Sequence, residues 1–196
     1  MKITLLLCIF LVAELTLAQV SPPETAQRTS REKYALIDDV QNLTLDRINA
    51  KISFLFLHDD TDGTIEGLQL NVKFHPNAIE NSVFKGTAEV NTLDTDNFLR
   101  DGHLMWKKYF NEDEHPKIYL ESKQVVDFDN NEFKVVGDLT IKGITKEIIV
   151  TFTYNKEELT LVGKTKINTA DFDIKIHKAY DKNKLTVYFY LPFQNK

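Results

Sequence analysis

From Tyr34 onward, apolar and polar residues alternate along most of the chain, in runs separated by turn residues. An apolar residue at every second position is the period of a strand with one buried face, and it is not the period of a helix. Pro192 ends the last run, because proline cannot donate a hydrogen bond to a neighbouring strand. The pattern predicts about eight strands, in the runs 48–57, 65–74, 84–91, 117–126, 133–141, 148–154, 159–167 and 185–191.

Residues 98–110 (FLRDGHLMWKKYF) break this alternation, since their apolar positions are spaced more like those of a helix. Residues 94–97 before them are of types that begin helices. We therefore expect a short helix, broken at Gly102, between two strands. Short connections elsewhere favour an antiparallel order, and a sheet of this size removes its exposed edges best by closing. The predicted fold class is all-β, an antiparallel β-barrel with a short helical insertion.

The first residues have the pattern of an export signal. Lys2 precedes an almost wholly apolar run, residues 3–17, and Ala18 suits a cleavage position, so residues 1–18 are predicted to be a signal peptide. An uncleaved N-terminal anchor is the alternative. The run is short for a membrane span and no second one follows, so no transmembrane span is expected in the mature chain. Residues 19–33 are expected to form a flexible leader and 34–196 the barrel domain of an exported protein, periplasmic or secreted.

The amino-acid composition excludes some classes of binding partner. The chain of 196 residues has 24 basic and 29 acidic residues, a net charge of −5. A net negative chain without a basic stripe argues against nucleic acid and against anionic membrane surfaces as partners. The single cysteine, Cys8, lies in the predicted signal peptide, which excludes a disulfide and a cysteine metal site in the mature chain.

No metal and no cofactor are predicted. None of the five histidines is paired with another at the sequence spacing of metal ligands. The acidic turn 58–63 does not fit a calcium loop, because His58 and Gln69 occupy its first and twelfth positions, where acidic residues are needed. We interpret it as a solvated hairpin turn.

The sequence contains none of the motifs G-x-S-x-G, H-E-x-x-H, P-loop or G-x-G-x-x-G. Arg100, Asp101 and His103 lie within four residues, but neither a nucleophile nor a paired carboxylate accompanies them. We interpret Arg100 and Asp101 as ties between the helix and a neighbouring loop, with Leu104 and Trp106 as apolar anchors. The expectation is a protein that is not an enzyme, and an enzyme using this cluster is an alternative.

Two motif blocks, residues 100–104 (RDGHL) and 137–146 (GDLTIKGITK), occur in a series with residues 95–97 (TDN), 109–110 (YF) and 115–118 (HPKI). This series resembles the YceI-like family of exported, lipocalin-like proteins, over roughly residues 48–193. The resemblance implies a curved, lipocalin-like antiparallel barrel with a helical segment, an interior that takes a long polyisoprenoid chain, and no catalytic residues.

The chain departs from the family pattern near the penultimate strand. The family usually has an Arg and a Phe-Gly there, whereas residues 168–173 read NTADFD, with neither the Arg nor the Gly. This departure leaves the shape of that end of the interior open, and with it the length of the ligand.

The interior of a barrel of about eight strands can be packed or can hold one slender ligand. Gly86, Gly137 and Gly163 interrupt apolar faces, and a glycine in a strand leaves space for a ligand. With the resemblance added, we predict a cavity that buries the apolar tail of an isoprenoid-like or acyl lipid, with the helix as a lid or wall. The predicted lining residues are Phe84, Val90, Leu104, Trp106, Phe110, Phe133, Leu139, Val150, Phe152 and Phe189.

Two other function classes stay open. A packed secreted barrel could act as a stress or protein-interaction module, which a large exposed apolar patch and a solid interior would favour. An enzyme would need a cleft at residues 100–103, with His103 partnered and exposed. The sequence does not determine the oligomeric state, for which a homodimer is one option.

Overall fold

The computed structural model describes residues 43–128 and 131–195; the predicted signal peptide and flexible leader lie outside the described residues. The described chain is almost entirely strand and turn, with one α-helix, α1 (Phe98–Leu104). The strands are β1 (Leu43–Leu45), β2 (Lys51–Phe56), β3 (Thr61–Ile65), β4 (Gln69–Lys73), β5 (Val83–Glu89), β6 (Lys117–Asp127), β7 (Glu132–Ile141), β8 (Ile144–Asn155), β9 (Thr160–Asn168) and β10 (Lys184–Asn195).

All of these strands belong to one curled antiparallel sheet. Its order is β3-β2-β10-β9-β8-β7-β6-β5-β4, and β1 pairs with the far end of β10. The predicted all-β antiparallel fold is confirmed, although the described strands number ten rather than about eight. The two extra strands are β1, which has three residues, and β3, which begins inside the polar segment that we interpreted as a turn.

The sheet forms a half-barrel, whereas we expected a sheet that closes into a complete barrel. In the described chain β3 and β4 are the end strands and do not pair with each other. Residues 66–68 join them, and Gly67 allows the bend because its φ is +63°. Next to this bend, Thr64 and Asp94 exchange two backbone hydrogen bonds of 2.9 and 3.0 Å. The two ends of the sheet are therefore linked through the chain itself.

The turn of the β7–β8 hairpin explains why the motif block 137–146 contains Lys142 and Gly143. Ile141 pairs with Ile144, and the two residues between them, Lys142 and Gly143, have φ values of 52° and 73°. Positive φ at both positions is typical of a type I′ turn, which matches the twist of paired strands. A Cβ on Gly143 would also lie 2.8 Å from the Cε1 atom of His115. This position therefore needs glycine for its conformation and for its space.

Helix α1 begins after Asn97, whose side chain accepts a hydrogen bond of 3.1 Å from the amide of Arg100. The predicted break at Gly102 is wrong, because Gly102 lies inside the helix, which continues to Leu104. Turns follow over residues 105–110. Within the described ranges, the chain has no helix whose length and apolarity would suffice to cross a membrane.

Inward-facing side chains form two hydrophobic clusters, one at each end of the strands. Leu120, Ile148 and Val187 lie between them and pack against both. We call the first cluster the aromatic end, defined by Phe74, Phe84, Phe133, Phe152, Tyr154, Phe189 and Phe193. We call the second the aliphatic end, defined by Leu139, Ile141, Ile167, Phe172 and Ile174.

Candidate functional site

A cavity of about 390 Å³ lies on the inner face of the sheet, between the aromatic and the aliphatic end. Strands β2 to β10 all contribute to its wall, together with Leu104 and Phe110 near α1 and with residues of the β9–β10 connection. A volume of this size falls in the range of about 300–1,000 Å³ that is typical of small-molecule sites. The fold therefore surrounds a space large enough for an apolar ligand.

The aromatic end of the cavity is packed. The ring of Phe133 is fully buried, and its centroid lies 5.5–5.9 Å from those of Phe74, Phe84 and Phe152. Phe84 and Phe152 stack at 5.2 Å with an interplanar angle of 14°. Ring pairs at these distances contribute beyond the area that they bury. This end is a floor against which the cavity stops.

The aliphatic end of the cavity reaches the surface. Exposed polar residues border the wall here, namely Asp59 in the β2–β3 turn and Arg100 and His103 in α1. Lys85 in β5 is a further exposed polar residue of the wall. Half-buried Ile176 lines the same part of the cavity. We call this region, bordered by Asp59, Arg100, His103 and Ile176, the mouth.

Six of the ten predicted lining residues contribute to the cavity wall. These residues come from β5, β7, β8 and β10 and from the segment around α1, so they meet only in the folded chain. They are Phe84, Leu104, Phe110, Leu139, Phe152 and Phe189.

The other four lie elsewhere. Val90 follows the end of β5 in a short 3-10 turn and is buried there. Trp106 is 60% exposed, and its ring contacts His103 with the centroids 4.5 Å apart. Phe133 and Val150 are buried inside the packed aromatic end rather than at the cavity surface. They share the inner face of their strands with lining residues, as Val150 does with Ile148 and Phe152.

The strand glycines do not leave the space that we expected. The ring of Phe152 lies over Gly163, where an added Cβ would clash with its Cε1 atom. Leu70 covers Gly86 in the same way, since a Cβ there would lie 2.7 Å from the Cδ2 atom of the leucine. At Gly137 the backbone oxygen of Glu121 would come to 2.6 Å of such a Cβ. Neighbouring groups fill the space beside these glycines. The cavity lies instead where the packing of the aromatic rings ends.

The sequence analysis missed three wall residues in the β9–β10 connection: Phe172, Ile174 and Ile176. They alternate with polar residues, and this period could have identified them, but no strand forms there. The departure noted in the sequence analysis lies in the same segment. Asp173, where the resemblance would imply glycine, has a φ of 55°. Aspartate tolerates this left-handed conformation better than most residues.

Arg100 and Asp101 tie α1 to the preceding loop. Arg100 donates to the hydroxyl and to the backbone oxygen of Thr95, at 2.7 and 2.6 Å. The Thr95 hydroxyl donates in turn to the Asp101 carboxylate at 2.5 Å. Among the described residues, no side-chain hydrogen bond joins His103 to Arg100 or Asp101. The geometry of this cluster is that of a structural tie centred on buried Thr95.

The second motif block ties the β9–β10 connection to the β7–β8 hairpin at the aliphatic end. The ammonium of Lys142 donates to the backbone oxygen of Asp173 at 3.1 Å and to its carboxylate at 3.3 Å. It also reaches the backbone oxygen of Lys108 at 3.5 Å. The hydrogen bond from Lys142, and then its positive charge, lower the pKa of the Asp173 carboxyl. Lys142 therefore joins the segments before and after the β7–β8 hairpin at one point.

A family model, the YceI-like domain, matches residues 43–191 of the chain. The chain belongs to the YceI-like family. This match reaches every strand of the curled sheet and includes both motif blocks. In this chain, the two blocks provide the ties that position α1 and the β9–β10 connection.

Curated relatives of this YceI-like chain include UPF0312 proteins of Staphylococcus aureus. One of them is 36% identical over 111 residues, and that of strain COL is 35% identical over the same length. Each match covers 54% of this chain and 61% of the relative. The chain thus spans about three fifths of the length of these relatives.

Solved structures share the fold. BcnA of Burkholderia cenocepacia has a TM-score of 0.68 at 20% identity, covering 76% of this chain and 98% of that one. The Campylobacter jejuni YCEI protein has a TM-score of 0.57 at 21% identity, covering 68% and 84%. A polyisoprenoid binding domain from Saccharophagus degradans, implicated in plant cell wall breakdown, has a TM-score of 0.53 at 10% identity, covering 80% and 99%. At these identities the likeness concerns the fold alone.

Proposed function

We propose that this YceI-like protein binds a lipid, with an isoprenoid-like or acyl tail buried in the cavity and the head group at the mouth. The observation that carries the proposal is the apolar cavity between the packed aromatic end and the open aliphatic end. Each buried methylene of a tail contributes about 0.8 kcal/mol, so the gain increases with the length that fits. The ligand is held by burial and undergoes no reaction.

Among the buried threonine hydroxyls of the wall, that of Thr87 has no hydrogen-bond partner in the described part of the chain, whereas the others support an apolar occupant. Three buried threonines contribute to the wall, and each hydroxyl donates to a protein group: Thr95 to Asp101, Thr165 to the Ile149 oxygen and Thr169 to the Ile174 oxygen. A ligand in the cavity would therefore leave these donors satisfied. An unsatisfied buried hydroxyl costs about 1–3 kcal/mol, so a polar wall would have opposed an oily tail.

Family membership and one structural relative point in the same direction. The Saccharophagus degradans domain is described as polyisoprenoid binding, and its fold is shared with this chain. The shared motif blocks act here as structural ties, which agrees with a binding protein and not with an enzyme that uses residues 100–103. Because the interior contains a cavity, the alternative of a solid barrel acting through its surface has less support.

The predicted signal peptide makes export part of the proposal. A lipid tail is costly to expose in water, and a carrier with a preformed apolar cavity removes that cost in an aqueous compartment such as the periplasm. Export to the periplasm or beyond, and cleavage after residue 18, remain predictions, and a homodimer remains one option. N-terminal sequencing of the protein purified from its native host would test the cleavage site.

Two neighbouring isoleucines give a direct test of the cavity. Ile148 lines it at the centre, whereas Ile149 lies on the opposite face of β8 and is 54% exposed. Titration with prenols of increasing length should show that Ile148→Trp weakens binding at least about tenfold, equivalent to about 1.4 kcal/mol. The matched control Ile149→Trp should bind as the unaltered protein does. Equal affinities for the two variants would contradict a tail in this cavity.

The identity of the natural ligand requires protein from the native host. Organic extraction followed by mass spectrometry should release a lipid from the unaltered protein and from Ile149→Trp, and much less from Ile148→Trp. Repeated extractions that yield no lipid from any of the three would overturn the lipid-binding proposal.

A further inference from the structure

Three potential metal ligands meet at the mouth from two distant parts of the chain. His58 and Asp59 lie in the β2–β3 turn, and His177 lies in the connection between β9 and β10. The Nε2 atom of His177 lies 2.8 Å from the Oδ2 atom of Asp59. The rings of His58 and His177 meet edge to face, with centroids 4.6 Å apart. One ligand atom from each residue lies within 4.8 Å of the other two.

Hydrogen bonds with Asn183 hold the backbone at His177 in place without a metal ion. The fully buried side chain of Asn183 accepts a hydrogen bond from the His177 amide at 2.9 Å. It donates to the His177 oxygen at 3.0 Å and to the Ala179 oxygen at 2.8 Å. Phe56, which is buried at the end of β2, contacts the imidazole with the ring centroids 5.9 Å apart. Such support lowers the entropic cost of fixing the His177 imidazole in position for a metal ion.

Two imidazoles and one carboxylate are a donor set for a transition metal. Imidazole nitrogen suits zinc, copper and nickel, whereas calcium and magnesium prefer a shell of oxygen atoms. Zinc bonds of about 2.0–2.1 Å to nitrogen would bring the ligand atoms to roughly 3.3 Å apart. His58 and Asp59 are exposed, so rotation of their side chains can supply the remaining approach.

We propose that His58, Asp59 and His177 form a binding site for a divalent transition metal ion, with zinc as the ion to be tested. A hydrogen bond between Asp59 and His177 could form without a metal, but the adjoining His58 ring supplies a third donor that such a bond does not need. Three protein ligands leave one tetrahedral position for water or another ligand. The ion would cross-link the β2–β3 turn to the β9–β10 connection. The inference does not depend on lipid binding.

The test is zinc titration by calorimetry of the full, untagged chain after removal of metal with a chelator. The expected result is saturable binding of one ion per chain, together with a rise in the thermal unfolding midpoint. His58→Ala and His177→Ala should each weaken binding by at least about tenfold. His75→Ala is the matched control, since His75 lies outside the cluster. Its backbone amide donates a hydrogen bond to the Ser82 hydroxyl, and the imidazole ring takes no part in that bond. This control should leave zinc affinity unchanged.

A spectroscopic measurement separates metal binding from loss of folding. Cobalt added to the metal-free chain should produce visible absorption bands of a four-coordinate site, and zinc should displace them. Circular dichroism would establish that exposed His58→Ala is folded, so that its weaker bands report the lost ligand. Unsaturable binding to the unaltered chain, or equal affinity of His58→Ala and His75→Ala, would overturn the proposal and leave Asp59 and His177 as a hydrogen-bonded pair.

Discussion

The two ends of the curled sheet use the same strands and the same alternation of residues but differ in how they are filled. At the aromatic end, Phe133 is fully buried between the rings of Phe74, Phe84 and Phe152. At the aliphatic end, half-buried side chains such as Phe110 border a cavity that reaches the surface. One end is thus a packed core and the other a partly unfilled one.

The difference shows how one sheet can supply both stability and a binding site. Aromatic packing at one end stabilises the fold without any ligand. Apolar walls that face empty space at the other end lack contacts that a packed core would have, and an apolar tail would restore them. We therefore expect stability to be concentrated at the aromatic end and ligand effects at the aliphatic end.

The largest expected effect is at Phe133. Phe133→Ala should lower the free energy of unfolding by about 3–5 kcal/mol, because it opens a hole in the packed aromatic end. The same change at Phe110, in the cavity wall, should cost only about 1–2 kcal/mol, since that ring is already incompletely packed. Urea denaturation of both variants measures the two losses. Similar losses would abolish the distinction between the ends.

A smaller effect is expected at the tie that positions α1. Asp101→Ala removes the carboxylate that the buried Thr95 hydroxyl and the Thr95 amide contact, at 2.5 and 3.3 Å. We expect a loss of about 1–3 kcal/mol in the free energy of unfolding. Hydrogen exchange should become faster in α1 and stay unchanged at Phe133. Faster exchange throughout β7 would show that the two ends are not independent.

The smallest effect concerns a polar group within the aromatic end. The Tyr154 hydroxyl is buried, and in the described part of the chain it has no hydrogen-bond partner. Tyr154→Phe should leave the free energy of unfolding unchanged or raise it by up to about 1 kcal/mol. A clear loss of stability in a denaturant titration near neutral pH would show that the hydroxyl is satisfied.

The same residue gives a pH dependence with a defined sign. Burial raises the pKa of Tyr154. Below the ordinary tyrosine pKa of about 10 the phenol is neutral in both states and does not affect stability. Above it the unfolded chain ionises first, so stability falls as pH rises. The unaltered protein should therefore lose more stability than Tyr154→Phe between neutral pH and pH values above the ordinary tyrosine pKa.

Alternation in the sequence was sufficient to identify which strand residues face inward, but not which of them line the cavity. On one face of β8, Ile148 and Phe152 line the cavity, whereas Val150 between them is packed in the aromatic end. The reason is that access to the cavity depends on contacts between strands, such as that of the Phe152 ring with Gly163 of β9. Periodicity within one strand carries no such information.

Local sequence patterns also could not predict features that are formed by distant segments of the chain. His58 and His177 have no sequence spacing that suggests a shared site, and only the docking of the β9–β10 connection brings them together. The wall residues Phe172, Ile174 and Ile176 lie in a segment without strand hydrogen bonds, so a search for strands passes over them. The interpretation of Arg100 and Asp101 as ties agrees with the structure because both bond within six residues.

The place of β10 in the sheet has a consequence for how the chain folds. This strand is synthesised after the other nine, yet it is the neighbour of β1, β2 and β9. Until it emerges, β2 and β3 form only a two-stranded hairpin, which is marginally stable in water. Pairing across such a long stretch of sequence is slow because the intervening loop must close first. The nascent polypeptide therefore completes this sheet only after β10 has been synthesised.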